Sequence, residues 1–254
     1  IQKWLTAGVM EKGKWAECEE GTPQGSVASP LLANVYLPYV LDLWTDQWRK
    51  TQARGDVVIV RYADDFVVGF QHRHDAERFL EALRARFQKF CLELHPDKTR
   101  LIRFGRFAVQ NCGQDGRSKP ETFGFLGFTY ISGKTKSGAF QVVRLSDAKR
   151  FRAKLVSLRD ELRRRMHDPI EEQGRWLGSV VRGWFAYHAV PGNFRALVNF
   201  RFQVTRLWYL SLRRRGDQRR INWDGMYALR TRWTPRPRIS HPWPEQRLGV
   251  AYPR

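Results

Sequence analysis

Apolar positions repeat at helical spacing in some stretches of the first half of the chain and alternate in others. Ser29 and Pro30 suit the start of a helix, because serine caps an N-terminus and proline is favoured in the first turn. This helix is expected to run to about Arg54, with one apolar face made by Leu31, Leu32, Val35, Tyr36, Tyr39, Val40, Leu43 and Trp44. Pro38 lies inside it, so a kink or a locally broken hydrogen bond is predicted there.

Around that helix the pattern predicts several further elements. Residues 1–10 have helical character, and residues 14–19 have a weakly extended one. The apolar runs at 57–60 and 66–68 suit the two strands of a hairpin. Apolar residues between positions 74 and 90 line one side of another helix.

The chain then turns to strands and polar connections. Residues 98–104 are predicted to form a strand, and residues 105–121 are predicted to form a polar, glycine-rich loop. Residues 123–131 alternate like a strand, which a turn at Gly133-Lys134 can return into a second strand at 139–143. Strands and helices that alternate and end in a hairpin indicate the α+β class, with an antiparallel sheet and packed helices.

The second half has the apolar spacing of helices alone, so an all-α bundle is predicted for residues 145–234. Its helices are marked by Phe151, Leu155, Leu158, Leu162 and Met166, by Trp176, Leu177, Val180, Val181, Trp184 and Phe185, by Leu197, Phe200, Val204, Leu207, Trp208 and Ser211, and by residues 223–233. Prolines after residue 234 exclude a continuing helix. The predicted domains are therefore 1–144, 145–234 and an extended, Pro- and Trp-rich tail at 235–254.

Charge is the strongest feature of the composition. The 254 residues include 45 Lys and Arg against 25 Asp and Glu, a net charge of +20. Residues 1–144 hold 21 basic and 16 acidic side chains, whereas residues 145–254 hold 24 and 9. A region this basic favours a polyanion through counterion release from phosphates, with an anionic membrane surface as the competing partner. The aromatic residues add stacking surfaces for bases.

Other features of the composition exclude several classes of protein. No run of eighteen apolar residues is present, so no membrane-spanning helix is predicted. Three widely spaced cysteines without a CxxC pair exclude a disulfide framework and a zinc signature, and they suit a reducing, cytoplasmic setting. The first residues are neither a signal peptide nor a normal start, and we expect the chain to be cut from a longer one.

Two adjacent aspartates, Asp64 and Asp65, stand at the tip of the predicted hairpin. Neighbouring carboxylates repel, so they destabilise the chain unless a cation lies between them. Hard oxygen ligands suit Mg²⁺, and a metal-loaded aspartate pair can steer phosphoryl transfer. A plain hairpin is the alternative, because aspartate is common in turns.

Five motifs, in this order, resemble those of bacterial group II intron reverse transcriptases and maturases. They are Gly21-Thr22-Pro23-Gln24-Gly25-Ser26 with Ser29-Pro30-Leu31-Leu32-Ala33-Asn34, Tyr62-Ala63-Asp64-Asp65, His95-Pro96-Asp97-Lys98-Thr99, Phe125-Leu126-Gly127-Phe128, and the basic helices with Trp176-Leu177-Gly178-Ser179-Val180-Val181-Arg182-Gly183-Trp184. The resemblance covers nearly the whole chain. It implies a palm that ends in a primer-grip hairpin, followed by a maturase-specific thumb.

The resemblance implies a polymerase site with Mg²⁺ held by Asp64 and Asp65. It places Pro23, Gln24, Gly25, Tyr62, Lys98, Leu126 and Gly127 beside the nucleotide or the primer. Lys98 would neutralise triphosphate charge or protonate the leaving group, although a surface lysine is an equal alternative. Tyr62 would pack under the primer terminus or within the sheet, and Gly127 would allow close approach of the primer or form a β-bulge.

The implied partners are intron RNA, an RNA template with a DNA primer, dNTPs and target DNA, with no membrane. RNA binding is assigned to basic residues of the second half, namely Arg150, Arg152, Lys154, Arg159, Arg163, Arg164, Arg182, Arg213, Arg214 and Arg215. An arginine-rich helix is more often a solvated face, but the charge of residues 145–254 favours RNA.

One carboxylate that the resemblance implies is missing. The family needs a third carboxylate on a strand tens of residues before Gly21, and only twenty residues precede it here. Glu11, Glu17, Glu19 and Glu20 lie in no apolar strand that bears an aspartate. The fingers are also missing, so the isolated chain is expected to lack polymerase activity.

Two rival functions stay open. The first is a reverse transcriptase of another retroelement or defence system, which the basic bundle argues against. The second is an RNA-binding splicing factor with a decayed polymerase site, which the intact Gln24, Asp64 and Asp65 argue against.

Overall fold

A computed structural model describes the chain in two compact units, Ile1–Leu101 and Ile102–Arg254. The residues that it describes are 9–11, 14–16, 29–114, 116, 119–215, 221–244 and 246. The predicted loop at 21–25 lies outside them. The predicted domain limits at 144 and 234 stay a prediction.

In the first unit the earliest described elements are strands. β1 (Val9–Glu11) pairs with β2 (Lys14–Ala16) in an antiparallel hairpin. The extended character predicted for residues 14–16 is confirmed, but the helix predicted for residues 1–10 is wrong at Val9 and Met10. Backbone pairing between the two strands overrides the helical spacing of the apolar residues there.

The long helix predicted from Ser29 is interrupted, as expected, at its proline. It comprises α1 (Ser29–Leu37), a π-helical segment (Pro38–Asp42) and α2 (Leu43–Thr51). The N–H of Leu43 donates to the carbonyl of Pro38, five residues back, which is the hydrogen bond of a π turn. The confirmed break follows from proline, which has no N–H and crowds the preceding turn.

The predicted apolar face of this helix is only partly buried. Val40 and Leu41 are fully buried in the core of the unit. Other members of the face are more than half exposed, namely Leu31, Val35, Tyr39 and Leu43. These four residues recur every fourth position, so they lie on one exposed side of the helix, before and after Pro38 alike.

The predicted hairpin and the next helix complete the first unit. β3 (Val57–Tyr62) pairs with β4 (Asp65–Phe70), and α3 spans Arg73–Gln88. The core between them and α2 consists of Val40, Leu41, Trp48, Val57, Phe79, Leu83 and Phe87. Trp48 packs edge-on against Phe79, with 5.0 Å between ring centroids.

The connection that follows differs from the prediction. Residues 98–104 form no strand, and α4 (Ala108–Gln114) lies inside the predicted loop. The N–H of Arg103 donates to the Glu121 carboxylate (3.1 Å) and not to a neighbouring strand. Alternation alone cannot make a strand without a partner for its backbone groups.

A three-stranded antiparallel sheet opens the second unit. β5 (Phe123–Phe125), β6 (Phe128–Lys134) and β7 (Phe140–Ser146) pair in chain order. The strand predicted for residues 123–131 is therefore two strands with a turn between them. The return predicted at Gly133-Lys134 comes later, after β6 has ended.

The helical prediction for the second half is confirmed from Ala148 onwards in the described residues, but it is wrong at residues 145 and 146, which belong to β7. The helices are α5 (Ala148–Arg164), α6 (Ile170–His188), α7 (Phe194–Arg213) and α8 (Trp223–Trp233). Their shared core contains Leu158, Leu162, Leu177, Val181, Trp184, Phe185, Leu197, Phe200, Val204, Trp208 and Met226. Trp184 stacks on Phe200 with 4.1 Å between ring centroids, which joins α6 to α7.

The segment after α8 is non-helical up to residue 243 and packs on the end of α6, as predicted for a proline-rich tail, but the predicted extended tail is wrong at residues 244 and 246, which are helical. The N–H groups of Ser240 and His241 both donate to the carbonyl of Ala189 (3.1 Å each). Within the described ranges no helix is long and apolar enough to cross a membrane.

Candidate active site and nucleic-acid interface

The two aspartates lie in a tight turn between β3 and β4. Tyr62 and Asp65 are paired across the hairpin, so Ala63 and Asp64 form a two-residue loop. Ala63 has φ of 54°, a backbone conformation that favours glycine over residues with a side chain. The alternating apolar residues of both strands therefore place Asp64 and Asp65 side by side at the tip of the sheet.

Both carboxylates are exposed, and among the described residues neither has a hydrogen bond or an ion pair. Mg²⁺ in nucleotide enzymes is commonly bound through one or two carboxylates together with waters and substrate phosphates. The exposed pair fits that role, because its oxygens are free to bind a cation. In the described part of the chain no group of three or more His, Cys, Asp or Glu side chains could hold a metal ion. A cation at this turn therefore needs ligands beyond those the described residues bring together.

Tyr62 stands on the open face of the hairpin. Its side chain is 66% exposed, and Val58 and Val60 on the same face are also more than half exposed. The prediction that Tyr62 packs within the sheet is thus wrong for the described residues. Its predicted place under a primer terminus stays a prediction.

Arg61, which belongs to none of the predicted site residues, holds the turn from the opposite face. The Arg61 guanidinium donates to the Asp42 carboxylate and to the carbonyl of Ala63. Its hydrogen bonds to Asp42 raise the pKa of Arg61 above its usual range, so the arginine stays charged. The only sequence signal was an arginine within an otherwise apolar strand, which alternation would place on the covered face.

Lys98 lies in an exposed turn of irregular chain. The N–H groups of Lys98 and Thr99 donate to the carbonyl of His95 (3.3 and 3.0 Å). None of the described hydrogen bonds or ion pairs joins Lys98 to the aspartates. Its role in neutralising phosphate charge stays a prediction, and Pro23, Gln24 and Gly25 lie outside the described residues.

The Leu126-Gly127 turn connects β5 to β6. Both residues have positive φ, 47° for Leu126 and 74° for Gly127, so the turn is a two-residue hairpin loop and not a β-bulge. The Asp147 N–H donates to the carbonyl of Gly127 (3.0 Å). A Cβ at Gly127 would lie 3.4 Å from Nη1 of Arg150 and 3.7 Å from Cε1 of Tyr187. Glycine therefore keeps the backbone of the turn close to a basic and an aromatic side chain.

His188 lies behind this turn. Its ring stacks on Trp184 at 4.2 Å between centroids, and its Nδ1 is 3.0 Å from the Ser146 hydroxyl. Burial lowers the pKa of His188 to about 4, so the ring is neutral at pH 7. Asn193 donates to the same hydroxyl at 2.8 Å. These groups connect the sheet to the end of α6 without a charge.

Basic residues predicted to bind RNA lie on α5, within α6 (Arg182) and at and just after the end of α7 (Arg213, Arg214 and Arg215). All except Arg215 are exposed. Arg159 and Arg164 pair with Asp160 and Glu161, and Arg215 donates to the carbonyl of Asp168. The other predicted residues have no carboxylate partner among the described residues, namely Arg150, Arg152, Lys154, Arg163, Arg182, Arg213 and Arg214. Unpaired, exposed cations of this kind are available to phosphates.

Comparison with known proteins identifies one family. The family model described as "Reverse transcriptase (RNA-dependent DNA polymerase)" matches residues 1–130. The matched segment includes both aspartates and the Leu126-Gly127 turn. A search of curated proteins finds no match.

Proposed function

We propose that this chain, which belongs to the reverse transcriptase (RNA-dependent DNA polymerase) family, presents the metal-binding aspartates of an RNA-directed DNA polymerase. One observation supports this proposal above the others. The Ala63-Asp64 loop leaves two adjacent carboxylates exposed and without partners, within the segment that the family model matches. A hairpin that served only to connect two strands would gain nothing from two unpaired charges at its tip.

Each residue of the proposed site would have a distinct role. Asp64 and Asp65 would hold Mg²⁺, which when bound stabilises the charge that develops on the primer hydroxyl and on the leaving pyrophosphate. The exposed ring of Tyr62 would orient the primer terminus by contact with its last base pair. Gly127 would let the primer backbone approach the turn, with Arg150 beside it to bind a phosphate.

The substrates that follow are an RNA template with a DNA primer, and dNTPs. Pro23, Gln24 and Gly25 would contact the incoming nucleotide, where the amide of Gln24 can donate and accept hydrogen bonds without adding charge. Lys98 would neutralise triphosphate charge. These assignments rest on the motifs of the sequence.

A second activity is favoured by the unpaired basic surface of the second half. We propose that residues 145–234 bind intron RNA as the thumb of a group II intron maturase, with target DNA as a further partner. The support is the excess of 24 basic over 9 acidic residues in 145–254, together with the exposed arginines that have no described carboxylate partner. Stabilising a folded RNA by phosphate contacts needs no catalytic carboxylate.

Primer extension by the complete product of the gene, with an RNA template, dNTPs and Mg²⁺, tests the first proposal. Asp64→Asn and Asp65→Asn should each lower the rate by about a hundredfold or more, because each removes a charge that stabilises the transition state. Asp56→Asn is the matched control, since Asp56 is an exposed aspartate just before β3, at the opposite end of the same hairpin. Equal activity of Asp64→Asn and Asp56→Asn would show that the turn is not the catalytic site.

Intron splicing in the presence of the same variants tests the second proposal. Asp64→Asn should strongly lower DNA synthesis and leave RNA binding and splicing intact, because the two activities use different residues. Loss of both activities would contradict an independent maturase surface. Splicing without any DNA synthesis by the unchanged protein, unaffected by Asp64→Asn, would favour the RNA-binding factor with a decayed polymerase site.

A further inference from the structure

Arg61 joins the aspartate turn to the interrupted helix by a set of directed hydrogen bonds. Its Nε donates to both carboxylate oxygens of Asp42 (2.8 and 3.1 Å), and its Nη2 donates to Oδ2 of the same residue (2.6 Å). The Arg61 side chain is only 14% exposed. A planar guanidinium held by a carboxylate in this way has a fixed orientation.

The remaining nitrogen of Arg61 reaches the turn itself. Nη1 donates to the carbonyl of Ala63 at 2.9 Å and to Oδ1 of Asn34 at 3.0 Å. The Ala63 carbonyl belongs to the peptide bond that leads into Asp64. The arginine therefore restrains the peptide group that leads into Asp64.

The backbone of Ala63, which carries that carbonyl, is strained. Ala63 has φ of 54°, which residues with a Cβ rarely adopt. A hydrogen bond to its carbonyl offsets the strain and makes this conformation the preferred one. The geometry of the two-residue loop thus depends on a side chain outside the loop.

Asp42 lies where the helix that supplies it is interrupted. Asp42 is the last residue of the π-helical segment that begins at Pro38. A π turn takes in more residues than an α turn, so the segment changes the direction in which Asp42 points from the helix axis. Asn34, one turn before the segment, supplies the second acceptor.

We propose that Arg61 is a positioning residue for the metal-binding turn, held in place by Asp42 and Asn34. The inference rests on the proposed function, because it assigns Asp64 and Asp65 to a divalent cation. Asp42 neutralises Arg61, so the arginine acts on the turn through geometry and not through its charge. It holds the Ala63–Asp64 peptide so that both carboxylates are presented to one cation.

Substitution of Arg61 distinguishes a positioning role from a purely electrostatic one, because the two roles predict opposite changes in the affinity for a divalent cation. Arg61→Gln removes a cation and leaves Asp42 unpaired near the turn, so charge alone predicts tighter binding of a divalent cation. Loss of the hydrogen bond to Ala63 predicts weaker binding, because the free turn must be ordered when the cation binds. The two explanations therefore predict opposite shifts of the dissociation constant.

The experiment is a titration of the full chain with Mn²⁺, followed by electron paramagnetic resonance of the free ion. Arg61→Gln should weaken the binding that depends on Asp64 and Asp65 by about three- to tenfold, the equivalent of one lost hydrogen bond. Arg86→Gln is the matched control, because Arg86 donates to the carbonyls of Val40 and Tyr39 in the same π-helical segment without contacting the turn. The control should stay within about twofold of the unchanged chain.

Further results also test the positioning role of Arg61. Unchanged or tighter Mn²⁺ binding by Arg61→Gln would overturn the positioning role. Asn34→Ala, which alters no charge, should weaken binding in the same direction but less, and it serves if Arg61→Gln does not fold. Mn²⁺ binding that survives replacement of both aspartates would refute the metal site but not the hydrogen bonds by which Arg61 holds the turn. Amide hydrogen exchange at Asp64 and Asp65 then tests the role of Arg61, since exchange should be faster in Arg61→Gln and unchanged in Arg86→Gln.

Discussion

The hydroxyl of Tyr187 donates a 2.7 Å hydrogen bond to the carbonyl of Leu126, a residue 61 positions earlier in the chain. The ring of the same tyrosine stacks on Phe128, with 5.4 Å between ring centroids. One side chain near the end of α6 thus holds both sides of the turn that joins β5 to β6. Leu126 has φ of 47°, so the contact supports backbone that would otherwise relax.

Tyr187→Phe should loosen this turn while keeping the ring stack. We expect a loss of about 1 kcal/mol in the free energy of unfolding, because one hydrogen bond is removed and the carbonyl can still reach water. Urea denaturation measures the loss, and the Gly127 amide should exchange faster with solvent. Tyr227→Phe is the control, since Tyr227 is 60% exposed and its hydroxyl has no hydrogen bond to the described residues. Equal stability of the two variants would show that the hydroxyl contributes nothing.

Two glycines of α6 allow α8 to pack closely. A Cβ at Gly174 would lie 2.5 Å from the indole ring of Trp233, and one at Gly178 would lie 2.5 Å from the carbonyl oxygen of Trp233. The second clash is with backbone, which cannot rotate away. We therefore expect Gly178→Ala to lower the free energy of unfolding by about 1–3 kcal/mol, as overpacking of a core does.

Gly183 in the same helix provides the contrast. A Cβ there would meet nothing within 4 Å. Gly183→Ala should therefore raise the free energy of unfolding by about 0.5–1 kcal/mol, because alanine favours the helix over glycine. Thermal denaturation of both variants gives the comparison. A stabilising Gly178→Ala would contradict the close packing of α8 on α6.

The parts of the fold that the sequence predicted correctly depend on contacts close in the chain. Helices α5 to α8 follow from apolar residues three and four apart, and the β3–β4 hairpin follows from alternation on both sides of a turn. Residues 98–104 alternate too, but the backbone of Arg103 bonds to the Glu121 side chain, which no local pattern reveals. Pro38 predicted a break, but not how the break would redirect Asp42.

In the candidate site, too, the sequence predicted what depends on neighbouring residues and not what depends on distant ones. Asp64 and Asp65 are adjacent in the chain, so their shared position needed no tertiary information. Arg61 meets Asp42 across 19 positions, and Tyr187 meets Leu126 across 61. Such pairs depend on the direction in which a helix packs, and a single sequence carries no signal for it.

The pKa of His188 predicts a pH dependence of stability. Burial lowers this pKa from its usual 6.5 to about 4, so the unfolded chain takes up a proton at a higher pH than the folded one. The contribution to stability is therefore complete above pH 6.5 and is lost as the pH falls towards 4. It amounts to at most about 3 kcal/mol, and to less after solvent screening.

His188→Gln removes the titrating group and keeps a polar side chain that can reach the Ser146 hydroxyl. Urea denaturation between pH 4 and 7 should give a shallower pH dependence for this variant than for the unchanged chain. Carboxylates titrate in the same range in both proteins, so the difference between the two curves isolates His188. Parallel curves would show that His188 has the same pKa in the folded and unfolded states.

Salt dependence tests the basic surface of the second unit. Arg152, Lys154 and Arg163 are exposed on α5 without a described carboxylate partner, so each can release a counterion by binding a phosphate. Changing all three to glutamine should weaken binding of single-stranded RNA. It should also reduce the slope of log K against log salt by about 2, at roughly 0.7 per lost contact. Fluorescence anisotropy at several salt concentrations measures both quantities.

The matched control removes the same charge from the first unit. Arg49 and Lys50 both pair with Asp46, and Arg73 pairs with Glu77, so each of the three cations already has a carboxylate partner. Changing these three to glutamine alters the net charge equally but should leave the slope nearly unchanged, because long-range attraction is screened beyond about 10 Å in 0.1 M salt. Equal loss of slope in both triple variants would mean that overall charge, and not the surface of α5, attracts the RNA. A slope near zero in the unchanged chain would remove the basis for an RNA-binding thumb.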